Sequence, residues 1–139
     1  MVEVSMIGGK KKRISSHSAK AKGRELQKWV CAQIARITGF AWGSNGGDKP
    51  IESRPMGQSG ADVRMEAQVK ALFPFSVECK NQQKWSILSW IQQAQKNTED
   101  GCDWLLVVKK NRMSPIVIMD AEKFFDIYSQ VIQNKVSGK

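Results

Sequence analysis

The stretch GADVRMEAQVKALFPFSVECK, residues 60–80, decides how this chain is read. Asp62 lies at the head of one expected strand, Ala61–Glu66, while Glu78 and Lys80 sit at the end of another, Phe75–Cys79. Alternate strand residues share a face, so Glu78 and Lys80 point the same way and Cys79 points into the opposite layer. A hairpin through Leu72, Phe73 and Pro74 would bring Asp62 beside them. Two carboxylates and an ammonium at one point suit a divalent cation and proton transfer. The acids interrupt otherwise apolar strands, a costly place for carboxylates unless a cation compensates them. Asp62, Glu78 and the backbone carbonyl of Cys79 would supply hard oxygen ligands for Mg²⁺ or Mn²⁺. Lys80 would orient or deprotonate an attacking water and offset charge building on a phosphate. The spacing alone is a weak signal, because 25% of the chain is charged and ion pairing across a hairpin accounts for it too.

Outside this stretch, 139 residues with 41% hydrophobic content suffice for one domain with its own core. Cys31, Cys79 and Cys102 are scattered and form no CxxC, which argues against a disulfide framework or a structural zinc site. No apolar run approaches bilayer-spanning length and no secretory h-region follows the start, so a reduced, intracellular, cytoplasmic protein is expected. The net charge of +9 is uneven. Residues 1–24 carry seven basic side chains against Glu3, and the remainder carries fifteen against twelve. The basic surplus of residues 1–24, which includes Lys10, Lys11, Lys12 and Arg13, precedes a nearly balanced remainder; a flexible basic arm is expected over residues 1–18 and a single domain over 19–139. That asymmetry suits a polyanion, nucleic acid before membrane; a solvated, flexible tail is the bland reading.

A helix is expected from Ser18 to Thr38, stopped by Gly39, with Leu26, Val30, Ile34 and Ile37 as its buried stripe and Trp29 widening it. Glu25 sits at the edge of that stripe, by default a surface residue. Phe40–Gly60 reads as a short strand, Phe40–Trp42, followed by a long loop in which Lys49 and Arg54 could meet a phosphate or serve as plain surface cations. A second helix over Ser86–Thr98 presents Ile87, Trp90, Ile91 and Ala94 on one side. Trp104–Val108 and Pro115–Met119 read as a hairpin, and Asp120 as the N-cap of a last helix burying Phe124, Ile127, Tyr128 and Val131. The order gives an α/β fold, a mixed sheet with helices on both faces.

Gly60-Ala61-Asp62-Val63 with Val77-Glu78-Cys79-Lys80 resembles the motif of PD-(D/E)XK nucleases, in the subgroup containing archaeal and phage Holliday-junction resolvases. The resemblance runs from Lys22-Gly23-Arg24-Glu25 to Trp104–Val108, departing at Ala61, where the family name expects Pro. It implies a restriction-endonuclease-like fold and metal-dependent hydrolysis of DNA phosphodiesters with Mg²⁺ or Mn²⁺, leaving a 5′-phosphate. It also implies a catalytic Glu on the first helix, matched by Glu25, which is a further candidate metal ligand. A helix Gln beside the lysine is matched by Gln93, with Gln92 as competitor. Resolvases of this group act as two-fold dimers on branched DNA. Lys10–Arg13, Lys20, Lys22, Arg24 and Arg54 would then grip backbone phosphates without reading sequence.

Three rival readings share these residues. One is a nuclease of the same fold with another substrate, such as a nicking, end-processing or restriction-like enzyme. A second is a non-catalytic DNA-binding module, against which the intact Asp62, Glu78 and Lys80 speak. The third is an RNA-binding protein, which would need aromatics exposed on a sheet face. His17, the single histidine, falls in the basic arm and supports no histidine-based mechanism.

Overall fold

In the computed structural model, residues 16–44, 48–55 and 59–138 are described. Helix α1 (Ser16–Thr38) buries Leu26, Val30 and Ile34 at four-residue spacing, together with Gln27 and Cys31. Gly39, at φ +82°, ends it, its N–H donating to the carbonyl of Ala35 at 2.8 Å. Trp29 and Ile37 are 46% and 57% exposed, against the expectation that both are buried. At roughly 100° per residue Trp29 falls about 130° from the centre of the buried arc. Ile37 points along that arc but lies in the last turn, past the layer it would cover.

Two three-stranded sheets follow. The first orders β1 (Trp42–Ser44), β2 (Ile51–Ser53) and β3 (Val63–Met65), with β1 parallel to β2 and β2 antiparallel to β3. The second orders β4 (Phe75–Asn81), β5 (Asp103–Lys109) and β6 (Ile116–Ile118), with β4 parallel to β5 and β5 antiparallel to β6. They meet at the motif, where the N–H of Asp62 donates to the carbonyl of Val77 at 2.9 Å. The segment expected to be all loop before Asp62 thus contains β2, wholly buried. Its Glu52 pairs with Arg64 at 3.1 Å, which makes a charged residue tolerable in so buried a strand.

Asp62 also does not reach β4 by a hairpin. Helix α2 (Ala67–Leu72) intervenes, anchored by fully buried Val69, and Phe73 and Pro74 only lead into β4. Along β4, Phe75, Val77 and Cys79 join the core beneath α1, so the intervening Ser76 and Glu78 belong to the other face. β5 alternates likewise: Leu105 and Val107 pack toward α1, whereas Leu106 and Val108 pack with Trp90 of α3 (Ile87–Lys96). Helices therefore cover both faces of a mixed α/β structure, as expected. Among the described residues no helix is long and apolar enough to cross a membrane.

Helix α4 (Ala121–Val136) is N-capped as anticipated, Asp120 Oδ1 accepting from the Lys123 N–H at 3.0 Å. Its burial differs from expectation. No residue of α4 is buried; Phe124, Tyr128 and Val131 are 46%, 48% and 39% exposed, and Ile127 is only partly covered. The apolar spacing of α4 is real, but the described residues provide no layer to cover it.

Candidate active site

The junction of the two sheets gathers the motif. Gly60, at φ +96°, turns the chain into β3 in a conformation that favours glycine, with the Arg54 guanidinium lying over it. Asp62 follows, and its Oδ2 accepts from the backbone N–H of Cys79 at 2.7 Å. Glu78 projects from β4 toward α3 and is 3% exposed. Gln93 Nε2 donates to Glu78 Oε2 at 2.9 Å, and Asn97 Nδ2 donates to Oε1 at 3.3 Å. Both carboxylate oxygens are thus held by amides one helical turn apart, Gln93 on α3 and Asn97 at its C-cap.

Asp62, Glu78, Cys79, Lys80, Gln93 and Asn97 line one pocket of about 410 Å³, closed on the α1 side by Gly23 and Gln27. Burial pushes the carboxyl of Glu78 from 4.5 up to about 7; the Asp62 charge adds to the rise, and the Asn97 hydrogen bond and Lys80 oppose it. Burial also raises Asp62, against the Cys79 N–H, Lys80 and Arg54. Burial raises the thiol of Cys79, next to the site, well above its ordinary value, so it stays protonated and is no nucleophile. Two carboxylates that resist ionising side by side, with one ammonium beside them, form a donor set that fits a divalent cation: hard oxygens whose repulsion the cation would relieve.

The expected residues divide between this pocket and a groove leading out of it. Asp62, Glu78, Lys80 and Gln93 come together, and Gln93 rather than Gln92 meets the glutamate. Glu25 does not line this pocket. It is exposed and lines a cavity of about 350 Å³ with Lys22, Trp29, Lys109 and Asn111. Lys20 and Lys22 line an intermediate pocket of about 320 Å³ that shares Gly23, Cys79 and Lys80 with the carboxylate pocket. Arg24 is partly exposed on α1, and Arg54 Nε donates to the carbonyl of Ala61 at 2.6 Å. Lys49 is exposed, its carbonyl accepting from Arg64 Nη2 at 2.7 Å. Lys10, Lys11, Lys12 and Arg13 lie outside the described residues.

Sequence reasoning missed Asn97 and Gln27. Asn97 follows Trp90, Gln93 and Ala94 at three- and four-residue steps, a polar residue on the face that packs inward, and that spacing was the available signal. Gln27 falls within the buried arc of α1, and the same kind of signal marks it.

No curated protein and no solved structure matches the chain. A sequence model of the family described as "Phage putative PDDEXK endonuclease" matches residues 19–137, which include every residue placed in the pocket. With an aspartate, a glutamate and a lysine converging in a chain matched over nearly its whole length, this protein belongs to the phage PDDEXK endonuclease family, within the PD-(D/E)XK nuclease superfamily.

Proposed function

We propose that the chain is a Mg²⁺-dependent, structure-specific DNA endonuclease that cuts branched DNA as a homodimer, in the manner of a Holliday-junction resolvase. The observation that carries the nuclease reading is the buried Asp62–Glu78 pair beside Lys80, with Glu78 gripped by Gln93 and Asn97. Nucleases of this superfamily generally use a divalent metal, and Asp62, Glu78 and the carbonyl of Cys79 would hold it. When bound, the ion supplies Lewis acidity at the scissile phosphate and acidifies a coordinated water. Gln93 and Asn97 keep the Glu78 oxygens aimed into the pocket. Lys80 orients the attacking water and balances the charge that accumulates on the phosphoryl oxygens. A water oxygen–phosphorus bond forms as the bond to the 3′ oxygen breaks; the leaving oxygen takes up a proton and the product carries a 5′-phosphate. Lys20, Lys22, Arg24 and Arg54 lie along or near the groove and suit backbone phosphates.

The homodimer rests on α4 and the edge strand β6. Phe125, Ile132, Val136 and Val117 are at least half exposed, and Phe124, Tyr128 and Val131 partly so. A two-fold pair of such faces suits symmetric cutting of two strands. The second reading keeps the chemistry and changes the substrate to linear or nicked duplex, since junction selectivity depends on dimer geometry, not on the carboxylates.

Cleavage of a four-way junction, linear duplex and single-stranded DNA, each with Mg²⁺ and with EDTA, tests the proposal. The expected result is junction cutting with Mg²⁺ only, lost in Asp62→Asn and Glu78→Gln while junction binding survives. Preferential cutting of linear duplex would transfer the protein to the second reading. No cutting of any DNA with Mg²⁺ or Mn²⁺ would reduce it to a binding module.

A further inference from the structure

The groove leaving the carboxylate pocket ends at an aromatic side chain that the chemistry above does not use. Trp29 is 46% exposed, an uncommon state for an indole on a helix that packs against a sheet. It faces a cavity of about 350 Å³ with Lys22, Glu25, Asn81, Lys109 and Asn111. Lys22, two turns before Trp29 on the same face of α1, is fixed in place. Lys22 Nζ donates to Asn111 Oδ1 at 2.8 Å, Asn81 Nδ2 to the Lys22 carbonyl at 3.2 Å, and the Asn111 N–H to Gln83 Oε1 at 2.7 Å. These bonds tie the β5–β6 turn to the start of α1 and the end of β4, so the cavity is preformed. It adjoins the carboxylate pocket through the intermediate pocket, which shares Lys22, Asn81 and Asn111 with one and Gly23 and Lys80 with the other.

We propose that this cavity receives an unpaired nucleotide of the DNA substrate, its base stacked on Trp29 and its phosphate held by Lys22 and Lys109. An indole face takes any base, whereas a base inside a duplex already has both faces covered by its neighbours. The two ammonium groups suit a phosphodiester. Glu25 repels phosphate but accepts hydrogen bonds from the exocyclic or ring N–H groups of a base, which orients the nucleotide with its base inward. The cavity size is that of a small-molecule site, not of a flat duplex-binding surface. The inference rests on the nuclease reading and narrows it: the preferred substrates carry an unpaired nucleotide next to the cut, as at a flap, a gap or an open branch point.

The test uses the full chain in EDTA, so that no strand is cut. Fluorescence anisotropy would compare a labelled single-stranded oligothymidylate with a blunt duplex of equal length, for wild type, Trp29→Ala and Trp29→Phe. Trp29→Ala is expected to weaken oligothymidylate binding about tenfold more than duplex binding, the scale of one lost base–aromatic stack. Trp29→Phe, which keeps an aromatic face, should restore most of the difference. An unchanged single-strand to duplex ratio in Trp29→Ala, or no restoration by Phe, overturns the cavity's role while leaving the nuclease reading intact. Failure of wild type to bind either DNA, both in EDTA and with Ca²⁺ in its place, overturns the nuclease reading itself.

Discussion

Glu78 is the residue on which the site's electrostatics converge. Its carboxyl lies at about 7, chiefly through burial and then through the charge of Asp62. Because the folded value is raised above the ordinary 4.5, the protonated form is favoured in the fold. The contribution of this group is therefore fully present below about pH 4.5 and is lost as pH rises through about 7, on the order of 3 kcal/mol in the metal-free protein. A divalent cation competes with that proton, so its affinity should climb with pH up to about 7 and level off above. Calorimetric titration of Mg²⁺ or Mn²⁺ between pH 5.5 and 8.5 would read this, with pH-independent affinity as the contrary outcome. The Asn97 hydrogen bond holds Glu78 down, so Asn97→Leu should move the midpoint upward. At this scale the sequence exposed the Asp-and-Glu-x-Lys pattern, because strand alternation alone aims Glu78 and Lys80 together. Gln93 came only from the family resemblance, and Asn97, the second amide on Glu78, was not revealed, since which turn of α3 reaches β4 depends on packing between elements distant in sequence. Nor did the sequence show that Glu25 opens onto the Trp29 cavity: two positions along α1, from Glu25 to Gln27, turn the side chain by about 200°, from the outer side of the helix into the buried arc.

At the scale of elements, burial follows the covering layer more closely than it follows periodicity. Ile34 and Ile37 share the apolar direction of α1, yet the first is 2% exposed and the second 57%. Ile34→Ala should therefore cost about 2–5 kcal/mol by transfer and cavity formation, whereas Ile37→Ala should stay within about 0.5 kcal/mol. Urea denaturation of the two variants would measure both, and equal costs would contradict the overhang of the last turn of α1. The same dependence explains which elements were legible. α1, β4, α3 and the β5–β6 hairpin carry long or alternating apolar patterns and were recognisable. β2 was not, because three residues containing Glu52 show no period, and its burial depends on Arg64 arriving from β3. α2 was hidden for another reason. Its Ala, Gln, Lys and Leu favour helix, but six residues give too few turns for a pattern to emerge.

For the whole molecule, the uncovered side of α4 and β6 is the largest departure from what periodicity implied. Six large apolar side chains of α4 and Val117 of β6 are 39–83% exposed there. Together they leave on the order of 700 Å² of apolar surface, close to the share that one partner contributes to a standard stable interface. A single chain would rarely leave so large a patch in water. Among the described residues β6 is also an edge strand, hydrogen-bonded to β5 alone within its sheet, with its outer side available for pairing. A second copy satisfies both features with one two-fold operation, apolar face on apolar face. Light scattering should accordingly give twice the 15.6 kDa chain mass for wild type, and half of that for Phe125→Glu combined with Ile132→Glu. Both positions are at least half exposed, so the double variant should keep its fold, checked by an unchanged far-ultraviolet spectrum. If paired incisions need both active sites on one junction, the monomeric variant should nick junctions singly while retaining Mg²⁺-dependent cutting. A wild-type protein that remains monomeric at micromolar concentration on and off DNA would remove the dimer and, with it, the geometric basis for symmetric resolution.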